Sequence, residues 1–510
     1  MARRNFQARD GKTDRQDSCG KSFLFSTITS SLRERMLFVT KHFCKAIAKR
    51  KSTGFPLRSF VALCALSSCR SFSASRSFPK RSFSSSIAMT STTNKNGVST
   101  RPTLSRKIEC TLDPCVVLMK EMIGQYADEW KDKGGIFSLA QGVVYWTPPP
   151  SANQAIKDAL DEKDSMIHMY GPDEGLLELR EKLCQKLAEE NGLKDHHVMV
   201  TTGANQAYMN CVLTLLNDTD RAVVFAPFYF NHYMSYQMTL PESNLLVGPS
   251  SDEGLPDFVW LESQLKSDDS IRAVTLVNPG NPTGTLLKRD YLQKAVDLCR
   301  QYKAWLILDC TYEYFVPDAN FDGCFADPHV IHIFSFSKAY ALAGYRCGYL
   351  AIPKKAGDLY DQMMKVQDTI PICPPRVSQY AALGSMAAGK DWVREKIASL
   401  ELGRAAILDA MSSLEHVMGG SGAMYVMGKL PDEASDDQEF ARKLVQEFGV
   451  ACIPGSFCGL PGWIRVCYSN LPPEKCAEAA KRLKAGLQSL KSGSMKLSTM
   501  RGLPSCGHRK

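Results

Sequence analysis

The chain has 510 residues, 44% of them hydrophobic, which suffices for two or three domains with a sizeable core. Its net charge is +9, but residues 1–107 hold 22 Lys and Arg against four Asp and Glu, while the rest of the chain holds 40 against 49. Because this longer part is mildly acidic and would repel a phosphate backbone, the charge argues against a nucleic-acid-binding function.

Residues 1–107 are predicted to be a disordered targeting extension. They contain no acid after Glu34, and the stretch RSFSASRSFPKRSFSSSIAM is rich in Arg and Ser. Such leaders are typical of organelle transit peptides, so we expect a mitochondrial location, with a plastid as the alternative. The tetrapeptide RSFS at 81–84 resembles a mitochondrial processing site with cleavage after Phe83, whereas a start at Met89 would leave the protein in the cytosol. The apolar run FVALCAL is too short to span a membrane.

The 18 cysteines are scattered along the chain without any C-x-x-C pair. This spacing gives no support to a zinc or iron–sulfur site, so we expect no bound metal. Cysteines inside apolar stretches, such as Cys299 and Cys310, are expected to be small buried side chains in a reducing compartment.

Helical patterns come first in the part of the chain that begins near residue 108. The stretch at 112–134 has helical spacing, and a Pro cluster at 147–150 then interrupts the chain. A helix is predicted to begin there with Ser151 as its cap. An amphipathic helix follows and ends at Gly192.

Seven short apolar runs then alternate with helical segments. The runs are rich in Val, Ile or Leu, and helical patterns such as 205–217 and 289–303 lie between them. Buried strands that alternate with helices predict an α/β fold with a mainly parallel seven-stranded sheet flanked by helices. The runs are HVMVTTG, RAVVFAP, NLLVGP, IRAVTLVNP, AWLILDC, HVIHIFSFS and RCGYLAIP.

The pattern changes after residue 391. One long helix is predicted over 391–417, and short apolar segments and a closing helix at 473–490 follow it. We therefore expect a large domain at 151–391 and a smaller α+β domain at 392–490. A segment at 108–150 is expected to pack with the smaller domain, and residues 491–510 are expected to be a flexible tail.

Polar and aromatic side chains follow five strands of the predicted sheet, at the edge where ligands bind in open α/β folds. Backbone amides at a strand-to-helix turn suit a phosphate, and a carboxylate that enters a core needs a cationic partner. For each group alone, a tight turn or core packing is the simpler interpretation. In chain order the groups are Gly203, Ala204 and Asn205, then Tyr229, Asn281, Asp309 with Tyr312, and Ser335 with Lys338 and Arg346.

Taken together, these groups fit a planar, phosphorylated pyridine aldehyde, pyridoxal 5'-phosphate. Lys338 would bond covalently to the aldehyde, and Asp309 would keep the ring nitrogen protonated. The other groups would position the molecule: Ser335, Arg346 and the amides at 203–205 at the phosphate, Asn281 and Tyr312 at the ring oxygen, and Tyr229 on the ring face.

Several motifs resemble those of the class I/II (fold type I) pyridoxal-phosphate aminotransferases, over about residues 108–490. They are NPGNPTG, LDCTYEYF, SFSKAYALAGYRCGY and WIRVCYS. SLAQGVVYWTPPP, YGPDEGL and KVQDTIPIC are similar to the plant aromatic aminotransferase that uses methionine and aromatic amino or keto acids. The resemblance implies fold type I and a reversible, ping-pong transfer of an amino group from an L-amino acid to a 2-oxo acid.

The resemblance also implies roles for individual residues. Lys338 would be the Schiff-base lysine and proton shuttle, and Asp309 and Tyr312 would act on the cofactor ring as above. Arg465 would clamp the substrate carboxylate with its planar fork. The remaining implied contacts are Gly142 and Asn281 at the substrate, and Tyr170 at the phosphate of a neighbouring subunit, which implies a homodimer.

Substrate choice depends on aromatic side chains. Tyr145, Trp146 and Tyr229 are expected to form a pocket that favours Met, Trp, Phe or Tyr over Asp, although Trp146 could instead pack beneath its loop. Three positions differ from the resembling family. Many relatives have Pro where this chain has Ala343, a hydroxyl or other small polar residue is commoner at Asn205, and Trp is frequent at Tyr229. None of these differences removes a catalytic group.

Two other functions compete with amino transfer. A C–S lyase or a cyclopropane-carboxylate synthase shares the same lysine, aspartate and arginine, so the motifs leave it open. A ligand-sensing regulator on this fold would need a DNA-binding helix-turn-helix before the body, and residues 1–107 lack that pattern.

Overall fold

A computed structural model of the chain describes residues 102–161, 166–316, 321–432 and 435–497. The targeting extension predicted at 1–107 falls almost entirely outside the described residues, as does most of the tail predicted at 491–510. From residue 101 onwards the chain forms one unit by its internal contacts. The domain boundaries within that unit stay predictions.

The N-terminal segment lies against the C-terminal part of the chain. The indole N–H of Trp130 donates to the carbonyl of Gln446 (3.1 Å), and Phe137 pairs in parallel with Val450. These contacts join the segment that precedes the large sheet to the region near residue 450. The elements of the segment are α1 (Arg106–Glu109), α2 (Cys115–Trp130) and β1 (Phe137–Ser138).

The seven apolar runs form one seven-stranded sheet, as predicted. Its strand order is β2-β8-β7-β6-β5-β3-β4, and β8 alone runs in the direction opposite to the other six strands. The strands are β2 (His196–Thr201), β3 (Arg221–Phe225), β4 (Leu245–Gly248), β5 (Ile271–Val277), β6 (Trp305–Asp309), β7 (Val330–Ser335) and β8 (Gly348–Pro353).

Helices cover both faces of this sheet, which explains why its strands are apolar without alternation. In β6, Leu306 and Leu308 belong to one core cluster and Ile307 belongs to the cluster on the opposite face. The helices in this part of the chain are α3 (Pro150–Asp161), α4 (Leu177–Glu190), α5 (Ala204–Leu215), α6 (Phe230–Thr239), α7 (Phe258–Ser267), α8 (Arg289–Gln301), α9 (Leu359–Thr369) and α10 (Arg376–Ala387).

A smaller antiparallel sheet follows, in the order β12-β13-β10-β9. A separate strand, β11 (Val450–Ala451), is the partner of β1. The remaining elements are α11 (Gly389–Ala398), α12 (Glu401–Met411), β9 (Val417–Gly419), β10 (Tyr425–Lys429), α13 (Asp437–Phe448), β12 (Ile453–Pro454), β13 (Trp463–Cys467) and α14 (Pro473–Lys491).

The single long helix predicted over 391–417 is wrong. The structure has two helices there, α11 and α12, and β9 begins at residue 417. At the break the amide of Leu400 donates to the carbonyl of Ile397, three residues back, and the hydroxyl of Ser399 donates to the carbonyl of Lys396 (2.6 Å). A serine side chain that bonds to the backbone in this way competes with the regular helical pattern, and periodicity alone does not reveal it.

Candidate active site

Most of the predicted site residues line one cavity of about 230 Å³ at the carboxyl edge of the large sheet. They meet because β5, β6 and β7 are parallel neighbours, so the segments that follow them emerge side by side. Arg465 reaches the same cavity from β13 of the smaller sheet. The predicted residues that line it are Gly142, Ala204, Asn205, Tyr229, Asn281, Asp309, Tyr312, Ser335, Lys338, Arg346 and Arg465.

Asp309 is held ionised at the end of β6. Its Oδ2 lies 3.2 Å from Nε2 of His232, and its Oδ1 accepts a hydrogen bond from the amide of Thr311 (3.0 Å). Burial works against the charged form, but the hydrogen bond and charge of His232, with the Thr311 amide, outweigh it, so the pKa of Asp309 lies below its ordinary value. A buried carboxylate can therefore face the cavity as an anion.

His232 is a site residue that the sequence did not reveal. It lies on α6, and its ring stacks on that of Tyr208 with centroids 3.9 Å apart. The ring of Tyr229 is nearly perpendicular to it, with centroids 5.1 Å apart. A lone histidine on a helix carries no motif, and its partner Asp309 is far away in sequence. Only the packing of α6 against the sheet brings the two together.

Lys338 is a half-buried amine with a lowered pKa. Its Nζ donates to the carbonyl of Gly142 (2.6 Å). Burial lowers its pKa from 10.5 to about 8, and the positive charges of Arg465 and Arg346 act in the same direction. A lysine of this kind has a substantial neutral fraction near neutral pH, which a nucleophilic amine requires.

Arg465 is a buried guanidinium that forms no ion pair with a carboxylate of the described residues. Its Nη1 donates to the side-chain oxygen of Asn281 (3.0 Å), and its Nη2 donates to the carbonyl of Ala140 (2.8 Å). Its Nε is buried with no hydrogen-bond partner, and no carboxylate in the described part of the chain lies within 4 Å. A buried cation with only neutral partners is costly unless an anion joins it, so this site fits an anionic ligand.

Two tyrosines and an amide lie beside this arginine. The side-chain amide of Asn281 donates to the hydroxyl of Tyr312 (3.3 Å), and the hydroxyl of Tyr312 lies 2.8 Å from that of Tyr425. Sequence reasoning missed Tyr425, which lies on β10, 113 residues after Tyr312. Its neighbours in the segment AMYVMG are small or apolar, which indicates only a strand of the core.

The N-terminus of α5 and Arg346 form a cradle for an anion. Ala204 and Asn205 begin α5 and line the cavity together with Ser335 and Arg346. Gly203 precedes them with φ +82°, and a Cβ at that position would lie 2.4 Å from Nη2 of Arg346. The absence of a side chain there lets the guanidinium approach the helix N-terminus, so the residues fit a phosphate group.

Arg346 has a backbone conformation that is rare for its residue type. Its φ is +58° and its ψ is +63°, in the left-handed region that favours glycine. Strain of this kind concentrates at ligand sites, where the surrounding structure imposes the conformation. Its Nη1 donates to the carbonyl of Ala343 (2.9 Å), which helps to hold the side chain.

Two aromatic residues of the predicted substrate pocket do not reach the cavity. The indole N–H of Trp146 donates to the carbonyl of Ala339 (3.2 Å), and its side chain is buried in the main core cluster. Tyr145 likewise lies outside the cavity, where its hydroxyl pairs with that of Ser399 (2.8 Å). The aromatic lining therefore comes from Tyr229, Phe230, Tyr312 and Tyr425. Tyr170 also lies outside this chain's cavity, with 77% of its surface exposed.

Within 102–497, apart from the gaps, no helix is both long and apolar enough to cross a membrane. The same residues contain no group of three or more His, Cys, Asp or Glu side chains arranged to hold a metal ion.

Comparison with known proteins gives consistent matches. Residues 135–483 match the model of the family aminotransferase class I and II. The aromatic aminotransferase ISS1 of Arabidopsis thaliana is 43% identical over 357 residues, which cover 69% of this chain and 90% of that protein. The aromatic-amino-acid aminotransferase 2 of Thermococcus litoralis is 28% identical and covers 70% of this chain and 93% of its own length.

Solved structures agree with the fold. The structure of the aromatic aminotransferase of Pyrococcus horikoshii matches with a TM-score of 0.63 and 25% sequence identity. The match covers 73% of this chain and 99% of that chain. These relatives are named as aminotransferases and do not favour a C–S lyase or a cyclopropane-carboxylate synthase. The family depends on pyridoxal 5'-phosphate and acts on amino and 2-oxo acids. This chain is therefore a member of the class I and II aminotransferases.

Proposed function

We propose that this aminotransferase holds pyridoxal 5'-phosphate in the cavity and moves amino groups between aromatic amino acids or methionine and 2-oxo acids. The observation that carries the proposal is the meeting of Lys338, Asp309 and Arg465 in one buried cavity. When bound, the cofactor draws electrons from the substrate α-carbon. Each of the three side chains has a distinct part in that chemistry.

Lys338 supplies the amine and moves the proton. Its lowered pKa leaves a neutral fraction that can accept a proton from the substrate α-carbon at neutral pH and return it later. The carbonyl of Gly142 holds Nζ at one place in the cavity (2.6 Å). Asp309 stays ionised because of His232 and can hold a proton on a ring nitrogen.

Arg465 and Arg346 bind the two anionic ends. Arg465 has a free, buried Nε–H and a planar fork, which suit the α-carboxylate of an amino acid. Arg346 lies at the N-terminus of α5, where a phosphate gains from the amides of Ala204 and Asn205. Arg346 thus holds the phosphate of the cofactor, and Arg465 holds the carboxylate of the substrate.

The charge inventory of the cavity supports a neutral substrate side chain. Its lining cations in the described residues are Lys338, Arg346 and Arg465, and each already has a role above. Among the described residues of this chain no further cation lines the cavity to bind a second carboxylate, whereas Tyr229 and Phe230 offer apolar surface. The name of the 43% identical relative, an aromatic aminotransferase, agrees with this argument.

Two experiments test the proposal. Lys338→Ala should abolish turnover and the absorbance of the covalently bound cofactor, whereas Lys365→Ala, at an exposed position on α9, should change neither. Retained turnover in Lys338→Ala would reject the assignment. A substrate panel on the wild-type protein should rank Phe, Tyr, Trp and Met above Asp, and a strong preference for Asp would reject the substrate class alone.

We also propose that the enzyme is a homodimer in which Tyr170 reaches the neighbouring site. Tyr170 belongs to an exposed apolar patch formed by two segments. Nη2 of Arg376 donates to the Tyr170 carbonyl (3.2 Å), and the amide of Gly171 donates to Sγ of Cys373 (3.3 Å). Association would remove this patch from water. Its exposed side chains are Met166, Met169, Tyr170, Leu177, Ile370, Ile372 and Val377.

Mixed dimers test this arrangement. Lys338→Ala and Tyr170→Ala chains should each be weak or inactive alone, but mixing them should restore activity. One site of the mixed dimer then contains Lys338 from one chain and Tyr170 from the other. If Tyr170 acted within its own chain, no mixture would recover activity.

We further propose that residues 1–107 direct the protein to an organelle, with the mitochondrion first and the plastid second. Their acid-poor, Arg- and Ser-rich composition supports this proposal. A fluorescent protein fused behind residues 1–107 should enter the organelle and be cleaved after Phe83. Uniform cytosolic fluorescence would reject the proposal and favour a start at Met89.

A further inference from the structure

Tyr425 is a buried tyrosine at the join between the two sheets. It lies on β10, and only 1% of its surface is exposed. Its hydroxyl lies 2.8 Å from the hydroxyl of Tyr312, and the guanidinium carbon of Arg465 lies 4.6 Å from the centre of its ring. One side chain therefore contacts both a group assigned to the cofactor ring oxygen and the proposed carboxylate clamp.

These contacts form a closed cycle. Arg465 donates to Asn281, Asn281 donates to Tyr312, Tyr312 pairs with Tyr425, and the ring of Tyr425 packs against Arg465. All four side chains are buried. Hydrogen bonds and cation–π contacts are strengthened in such a water-poor environment, so a displacement of one member is felt by the others.

The direction of the hydrogen bond between Tyr425 and Tyr312 decides whether the hydroxyl hydrogen of Tyr312 is free. A tyrosine hydroxyl has one hydrogen and can accept further hydrogen bonds. The amide of Asn281 can only donate to Tyr312. If Tyr425 also donates to Tyr312, the hydrogen of Tyr312 stays free to point into the cavity, whereas the opposite direction would consume it.

The backbone around Tyr425 is shaped to admit it. A Cβ at Gly142 would lie 2.0 Å from the Tyr425 hydroxyl, and a Cβ at Gly284 would lie 1.9 Å from its carbonyl oxygen. Gly142 is also the residue whose carbonyl holds Nζ of Lys338. The tyrosine thus packs against the backbone that positions the lysine, and two glycines make room for it.

We propose that Tyr425 is a positioning residue for amino transfer. Its hydroxyl donates to Tyr312, so that the Tyr312 hydroxyl faces the ring oxygen of the cofactor. Its aromatic ring packs against the guanidinium of Arg465 and holds it in place. This inference rests on the proposed function. It adds a residue that acts through Tyr312 and Arg465 and not by contact with the reacting atoms.

Two substitutions separate the two contacts of Tyr425. Tyr425→Phe keeps the ring under Arg465 and removes only the hydroxyl, so kcat should fall about tenfold or more while KM stays within about twofold. The pH midpoint of the bound-cofactor absorbance should shift, because the group at the ring oxygen has lost its orientation. Tyr425→Leu should in addition raise KM about tenfold for every amino donor, because the guanidinium loses its support.

A matched control guards against a general loss of stability. Tyr468 is buried and its hydroxyl also makes one hydrogen bond of 2.8 Å, to the carbonyl of Ala423, outside the cavity lining. Tyr468→Phe should keep the wild-type absorbance midpoint and kcat. The double variant Tyr312→Phe/Tyr425→Phe should be no slower than Tyr312→Phe alone, because Tyr425 acts through Tyr312.

The outcomes distinguish this inference from the proposed function. An unchanged absorbance midpoint and kcat in Tyr425→Phe would overturn the inference, and so would equal losses in Tyr468→Phe. Additive losses in the double variant would also overturn it. Each of these results leaves the proposed function intact, provided that Lys338→Ala remains inactive. Activity in Lys338→Ala would instead reject the proposed function.

Discussion

The reactivity of Lys338 should be set by its burial, and pH is the direct perturbation. Burial lowers the pKa of this amine from 10.5 to about 8, with help from the nearby charges of Arg465 and Arg346. Only the neutral amine attacks an aldehyde. The rate at which cofactor-free protein captures pyridoxal 5'-phosphate should therefore follow the neutral fraction of Lys338.

The size of the effect follows from the shift. At pH 7 about one amine in ten is neutral with a pKa of about 8, but only about one in 3,000 with a pKa of 10.5, so burial increases the reactive fraction about 300-fold. The capture rate should rise about tenfold between pH 6 and pH 7 and become level above about pH 9. The same shift costs folded-state stability in full below pH 8, and that cost should disappear as the pH rises from 8 to 10.5. In that range the unfolded chain still binds the proton that the folded chain has released, so stability rises with pH.

The assay is stopped-flow absorbance on cofactor-free, full-length protein, repeated from pH 6 to pH 10. A small model amine, measured in parallel, corrects for the titration of the aldehyde reagent itself. Lys365→Ala should reproduce the wild-type curve, and Lys338→Ala should show no covalent capture. A rate that continues to climb up to pH 10 or above would refute the claim that burial controls this amine.

Two further substitutions probe the cradle and the core. Gly203→Ala puts a Cβ 2.4 Å from Nη2 of Arg346, so cofactor binding measured by equilibrium dialysis should weaken about tenfold or more. The control Gly389→Ala has a similar φ (+77°), but a Cβ there has no atom within 4 Å, so this variant should keep wild-type affinity. Glu313→Gln breaks the buried pair with Lys186 (2.5 Å) and should destabilise the fold by about 3 kcal/mol or more. The thermal unfolding midpoint of Glu313→Gln should therefore be several degrees below that of the wild type. The double variant Lys186→Met/Glu313→Leu should recover part of this loss. An unchanged midpoint in Glu313→Gln would contradict this reasoning.

Much of the large sheet and of the cofactor site could be predicted from the sequence. Each strand is a short run of Val, Ile and Leu, and Asp309 and Ser335 stand at the ends of two such runs. These signals are local, because burial on both faces dictates apolar residues and a ligand edge tolerates polar ones. Parallel neighbours then bring the strand ends together wherever the sheet forms.

Other parts of the site were decided only by tertiary packing. His232 meets Asp309 because α6 packs on the sheet, and Tyr425 meets Tyr312 because β10 faces the carboxyl edge of β6 across the cavity. Trp146 was expected at the substrate but lies in the core, where its N–H finds the carbonyl of Ala339. Pairings between distant segments depend on the three-dimensional path of the chain, and no pattern within a single segment encodes them.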